Sequence, residues 1–257
     1  MVVTKLTGGL CNIILQIMAT KAYSKKWNMP YDIPTVTSNK IWKHYRFPGI
    51  HYEDVNTRNF FHYREPAIEY DKRPYDITSQ DIPYHENILL EGHFLSHKYW
   101  WDYKDEIFKL FGFKIGRFYG HASIHQRRGD YLNMQEYLPS MNVEYYDKAI
   151  NWVIKNTGIK KFLVFSDDLI WCRENINLIN FPQCNKIEYS EGRNEIKDLE
   201  LMASCQVNII ANSTFSLMSH YLNKCEDKIC VAPENWYGPA YGEVNKQDMY
   251  YPESILL

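Results

Sequence analysis

The stretch Gly120-His121-Ala122-Ser123-Ile124-His125-Gln126-Arg127-Arg128-Gly129-Asp130 runs a short apolar segment directly into a histidine, two vicinal arginines and an aspartate. Such a run, ended by charge and glycine, reads as a buried strand passing into a loop. The same rhythm continues downstream. Strands are expected at 122–125, 162–165, 207–211 and 229–231, and helices at 143–155, 169–177, 195–204 and 213–223. Strands separated by helices in this way predict a parallel sheet covered by helices on both faces.

Upstream, Val2 to Leu6 favours a strand, Thr7-Gly8-Gly9 a turn, and Ile13, Ile14, Ile17, Met18 and Ala22 a helix. Between Tyr31 and His85 periodicity fails, with Pro34, Pro48, Pro66, Pro74 and Pro83 interrupting polar and aromatic sequence. That texture suits loops on a binding face. Residues 87–90 then read as a buried strand, and 98–111 as a helix heavy in aromatic residues. A soft boundary near 112–120 divides the chain into an N-terminal lobe, 1–115, and a C-terminal lobe, 116–257, whose tail packs back.

At 257 residues and 45% hydrophobic content the chain can bury a full core. The formal charge of -2, from 29 Lys plus Arg against 31 Asp plus Glu, argues against a nucleic-acid or anionic-membrane partner. The basic residues therefore act locally. Six cysteines without any C-x-x-C pair form neither a disulfide framework nor a zinc site. No signal peptide and no membrane-length apolar run is evident, so a reducing, cytoplasmic location is expected. Aromatic residues make up 16% of the chain, which serves either an aromatic core or stacking against sugars and bases.

In open α/β sheets, ligands gather beyond the carboxyl ends of the strands. Four polar clusters fall there. Gly8, Gly9 and Asn12 form a loop where backbone can approach a ligand, or a plain strand-to-helix connection. Arg127 and Arg128 present the planar forks that suit a diphosphate, with Asp130 holding the loop, or they make ordinary surface ion pairs. Asp167 and Asp168 could ligate a divalent cation, but Asp168 as the cap of the following helix is the preferred reading. Asn212-Ser213-Thr214-Phe215-Ser216 offers hydroxyls and amides at a helix start, suited to an anion or to simple capping.

Taken in order, Thr7-Gly-Gly-Leu-Cys-Asn12, Leu90-Glu-Gly-His-Phe-Leu-Ser-His-Lys-Tyr99, His125-Gln-Arg-Arg-Gly-Asp130, Tyr145-Tyr-Asp-Lys-Ala149, Phe165-Ser-Asp-Asp168 and 198–216 resemble the α-1,2-fucosyltransferase family. The resemblance implies a GT-B-like α/β fold of two facing Rossmann-like lobes with parallel sheets, the first on the acceptor side and the second, 116–257, the nucleotide-sugar-binding lobe. It implies an inverting, metal-independent transfer of L-fucose from GDP-fucose to a hydroxyl of a glycan, with no cofactor. By resemblance, Arg128 meets the β-phosphate and Arg127 supports the loop. Ser213, Thr214, Phe215 and Ser216 line the diphosphate, and His125 and Asp198 contact guanosine. Gly8, Gly9 and Asn12 close over the donor. Asp130 and Glu136 are the carboxylates nearest the arginines and the candidates for a catalytic role. Where the family carries Gly this chain has Cys11, and Ile13 to Leu15 replace Gln followed by an aromatic, at positions expected near the donor sugar. The same residues leave open a different GDP- or UDP-linked sugar, or a non-catalytic carbohydrate-binding protein on this fold.

Overall fold

The computed structural model describes residues 1–35, 46–66, 75–192 and 194–257. Pro74, one of the prolines that suggested loops, lies outside them. The chain forms two compact α/β units, Met1–Phe113 with Gly242–Tyr250, and Lys114–Tyr241 with Tyr251–Leu257. The break falls between Phe113 and Lys114. Gly242–Tyr250, near the end of the chain, groups with the first unit.

In the first unit, strands β1 (Val2–Thr4), β2 (Tyr31–Asp32), β3 (Phe61–Arg64) and β5 (Ile88–Glu91) form a parallel sheet in the order β2-β1-β5-β3. Strand β4 (Tyr75–Asp76) pairs separately with β11 (Val244–Asn245), which is what returns the tail segment to this unit. Asp248, nearly buried, fastens it further, taking the Lys98 ammonium at 2.7 Å and the Ser79 N–H at 3.1 Å. Helix α1 (Leu10–Lys26) covers the sheet, and Val2, Ala19, Tyr23, Ile88, Leu90 and Phe94 pack together. The aromatic segment expected as one helix is two tight 3₁₀ turns, His97–Tyr99 and Trp101–Tyr103, followed by the short α2 (Lys104–Leu110). Between the turns Trp100 sits fully buried at φ -137°, ψ -5°, so tertiary packing of one large ring overrides a continuous helix.

In the second unit, β6 (Phe118–Gln126), β7 (Lys161–Ser166), β8 (Lys186–Tyr189), β9 (Cys205–Ile209), β10 (Ile229–Ala232) and β12 (Ile255–Leu256) form an all-parallel sheet in the order β12-β10-β9-β6-β7-β8. Helices α3 (Val143–Thr157), α4 (Leu169–Asn175), α5 (Glu195–Ser204) and α6 (Thr214–Leu222) connect the strands. Each begins on a polar side chain that accepts a backbone N–H: Asn142, Asp168, Asn194 and Ser213 respectively. Ala122, Ile124, Val164, Val207 and Ile209 from neighbouring strands meet Tyr146, Ala149, Ile150 and Val153 of α3 in one buried core. Strands β3, β8 and β12 lie at or toward the sheet edges; β3 and β8 carry charged, partly exposed residues, so they lack the continuous apolar run that reveals a central strand.

The chain leaves β6 toward β7 and β8, then returns to the other side of β6 to form β9 and β10. Strand order thus reverses between β6 and β9, and at such a switch point the loops diverge and leave a crevice. The two strands are tied beneath it by polar side chains: Asn208, fully buried, donates to Ser123 Oγ at 2.9 Å and to the Met202 carbonyl at 2.8 Å, and accepts from Asn223 Nδ2 at 2.9 Å. Removing Asn208 strands these partners in the core. We expect Asn208→Ala to cost about 2 kcal/mol or more of unfolding free energy, measured by urea denaturation.

Candidate functional site

The loops after β6 and β9 carry two of the four clusters singled out in the sequence, and the loop after β7 carries a third. His125 is 5% exposed near the end of β6, in register with Phe165, and its ring lies 5.5 Å from that of Phe215. Burial, reinforced by the charge of Arg127, pushes its pKa down to about 3, so the imidazole is neutral. Its Nδ1 is buried and has no hydrogen-bond partner. A buried ring nitrogen left in this way is an offer to a ligand or a defect of about 1–3 kcal/mol.

Beyond His125 the arginines separate in role. Arg127 spends both terminal nitrogens on carboxylates, 2.7 Å from Asp130 and 2.8 Å from Asp167. Asp130 therefore holds Arg127. Arg128 gives its Nε to Asp168 at 2.9 Å and its backbone N–H to Asp167 at 2.9 Å, while its guanidinium stacks 4.4 Å over Trp171. Among the described residues no hydrogen bond takes its two terminal nitrogens. The result is a braced guanidinium with one edge open, the geometry for a bidentate contact with an oxyanion.

Asp168 also caps α4, accepting from Trp171 N–H at 3.0 Å, as the preferred sequence reading had it. That N–H and then Arg128 hold its carboxyl below the usual range. All four oxygens of Asp167 and Asp168 are thus already committed to N–H donors. Gly129 allows the loop to close on Asp167, since a Cβ there would fall 2.6 Å from Asp167 Oδ2.

The third element is 212–216. Asn212 is fully buried and pinned by bonds of 2.9 Å from its Nδ2 to the carbonyls of Pro139 and Trp236. Ser213 caps α6, with Thr214 and Phe215 partly exposed at its first turn. The Ser216 hydroxyl does not line a surface: it is buried and lies 3.2 Å from the carbonyls of Ala211 and Ser213. Asp198 stands in the first turn of α5 and accepts from the Ser190 hydroxyl at 2.5 Å. Glu136 is exposed; its carbonyl accepts from Ala240 N–H at 2.9 Å, and no hydrogen bond or ion pair among the described residues joins its carboxylate to Arg127 or Arg128.

Sequence reasoning assigned no role to three tyrosines that hold this edge. Tyr146 Oη lies 2.9 Å from the His125 carbonyl and 3.0 Å from Gln126 Oε1. Tyr145 donates to the Ile210 carbonyl at 2.7 Å, and Tyr131 to that of Asn212 at 2.9 Å. The Tyr145-Tyr146 pair was visible as a motif, but only the fold shows that its hydroxyls reach the strand ends.

In the first unit, strand order likewise reverses between β1 and β5. Gly8 adopts φ +82°, and a Cβ would fall 2.4 Å from Asn12 Nδ2. Gly9 precedes α1, and Asn12 Oδ1 is buried without a hydrogen-bond partner. Gln16, fully buried, clasps the turn: its Oε1 accepts from Thr7 N–H at 3.0 Å, and its Nε2 lies 2.9 Å from the Gly92 carbonyl. Glu65, 2% exposed, accepts from the His93 and Phe94 N–H groups at 2.8 Å each. Cys11 and Ile13 to Leu15, expected near the donor sugar, do not present open side chains. All are buried on α1, and burial drives the Cys11 thiol well above its ordinary pKa.

The chain matches "Glycosyl transferase family 11" over residues 1–257. It belongs to that family. A stretch of 119 residues, 45% of the chain, is 37% identical to the O-antigen biosynthesis glycosyltransferase WbnK of Escherichia coli and 34% identical to an E. coli alpha-1,2-colitosyltransferase. A galactoside alpha-(1,2)-fucosyltransferase 2 of Bos taurus is 29% identical over 108 residues, 40% of the chain. The aligned part of this family 11 chain spans 39%, 41% and 30% of the length of those relatives. A crystal structure of POFUT1 in complex with GDP aligns with 100% of this chain and 97% of that one, at TM-score 0.46 and 12% identity. No helix among the described residues is long and apolar enough to cross a membrane.

Two predictions follow from the family 11 chain's own contacts. Burial raises the Glu65 pKa from 4.5 to about 7, against the opposing pull of the Phe94 and His93 N–H groups. The neutral carboxyl thus favours the fold below its unfolded pKa, and that advantage is lost as pH rises through about 7. Glu65→Gln should remove a stability difference between pH 5 and pH 8 of about 3 kcal/mol, read from denaturation at both pH values. Asp168→Ala should cost about 1 kcal/mol through the lost cap, and Asp168→Asn, which can still cap, clearly less in the same assay.

Proposed function

We propose that this family 11 chain is an inverting, metal-independent glycosyltransferase that moves L-fucose, or colitose as the name of one relative suggests, from a GDP donor to a hydroxyl of a glycan. The observation that carries the reading is Arg128: braced at Nε by Asp168 and on its guanidinium face by the Trp171 ring, with its terminal nitrogens open. Departure of a nucleoside diphosphate concentrates negative charge on the β-phosphate. A fixed guanidinium there stabilises the transition state more than the ground state, because the charge it meets grows as the sugar–phosphate bond breaks.

The remaining groups act around that event. The first turn of α6, without any acidic residue, presents N–H groups suited to the diphosphate. Neutral His125 offers its orphaned Nδ1 to the nucleoside. Arg127 and Asp130 serve as the brace of the loop, so Asp130 supports the site and does not act as a free base. The commitment of Asp167 and Asp168 to arginine and backbone donors supports transfer without a metal. Six free, buried cysteines support a reducing compartment, the cytoplasm.

Calorimetric titration with GDP tests the assignment. Arg128→Ala should weaken binding at least tenfold, about 1.4 kcal/mol, and unchanged affinity would remove Arg128 from the site. Turnover of GDP-fucose should persist in excess EDTA; its loss would refute the metal-independent reading.

A further inference from the structure

In the first unit, the edge of the sheet opposite the Gly8-Gly9 turn carries an aromatic surface that this reading does not use. Helix α1 leaves the carboxyl end of β1 and runs back, so that Trp27, at its C-terminus, reaches the amino end of the strands. Phe61 opens β3, and Tyr84 and His85 lead into β5, with Phe61 and Ile88 in register. All four rings therefore collect at one edge. Trp27 is 37% exposed, Tyr84 53% and Phe61 42%, high values for rings of this size. They are also ordered: Trp27 lies 5.2 Å from Tyr84, and Phe61 stacks on His85 at 3.5 Å.

This surface continues into a cavity of about 450 Å³ whose lining includes Lys26, Gln80, Asp81, Asp102, Tyr99 and Tyr103. Tyr23 joins the two, since it lines the cavity and lies 6.4 Å from Trp27. Its hydroxyl bonds to Pro83 O and His85 N hold the intervening segment in place. The lining carries two ammoniums, Lys26 and Lys98, and two carboxylates, Asp81 and Asp102, whose formal charges cancel; Lys26 pairs with Asp81 at 2.8 Å and Lys98 with Asp248 at 2.7 Å. A neutral wall rich in donors and acceptors, beside partly exposed rings of which Trp27 carries the Lys26 ammonium 5.2 Å from its centre, does not suit an anionic membrane or a phosphate. It suits a ligand with apolar C–H faces and many hydroxyls.

We propose that this amino edge is a carbohydrate-binding site that takes a neutral oligosaccharide, stacking it on Trp27 and Tyr84 and hydrogen bonding it through the side chains of the cavity. The site is independent of the GDP-sugar reading, for it shares no residue with the arginine-bearing loops. Saturation-transfer NMR on the full chain tests it, with N-acetyllactosamine, lacto-N-tetraose and maltohexaose as probes. At least one should receive saturation from the wild type. Its affinity should fall at least tenfold in Trp27→Ala/Tyr84→Ala and severalfold in the milder Tyr84→Ala and Asp81→Asn, with GDP affinity unchanged in each. Arg128→Ala should keep the sugar signal while losing GDP, which separates failure of one assignment from failure of the other. The proposal is overturned if no probe receives saturation, if binding survives in all three variants, or if the variants instead lose binding to phosphatidylglycerol vesicles.

Discussion

Two ion pairs, Arg127 with Asp167 and Arg128 with Asp168, join the loops that leave adjacent parallel strands of the second sheet. Vicinal arginines repel one another, and a loop carrying both would spread into solvent without neighbouring carboxylates to hold it. The aspartates gather the guanidiniums at the sheet's carboxyl edge and orient them differently. Arg127 is saturated and becomes structure; Arg128 is held by its Nε and its ring-facing side, and keeps an open edge for chemistry. Gly129 contributes by having no side chain to displace Asp167.

Around this brace the protein fixes main chain with buried side chains. Tyr131, Tyr145 and Tyr146 each reach a carbonyl at or near a strand end, and Asn212 ties its own segment to Pro139 and Trp236. Buried polar groups of this kind stabilise only when paired, so each bond specifies a position as well as adding stability. The first unit uses the same device. Gln16 spans from Thr7 to Gly92, and Glu65 collects the two N–H groups that follow. His125 Nδ1, Asn12 Oδ1 and the Oδ1 of Asn212 itself depart from the pattern, and all three sit in segments the sequence had marked for ligands.

Central elements were legible because they are long and buried. The apolar runs ending at His125 and Phe165, and the helices begun by Asn142 and Asp168, carry their own signals of periodicity and capping. Edge strands such as Phe61–Arg64 and Lys186–Tyr189 were not legible, since alternating exposed residues resemble loop. The aromatic stretch around Trp100 misled for the opposite reason: burial of a single ring, invisible in the local pattern, breaks the helix its neighbours suggest. The residues near Cys11 looked like donor contacts by position in a motif, whereas their packing on α1 makes them core.

The sequence by itself determined the α/β class, the parallel sheets, the family and the loops that carry polar chemistry, because these depend on local periodicity and on residue types within a few positions. Only the tertiary structure decided which arginine stays open and that Gly242–Tyr250 joins the first unit. Those outcomes depend on partners 40 or more positions away for Arg128 and more than 160 for Asp248. Such pairings are set by strand order and packing, which no local stretch of sequence encodes.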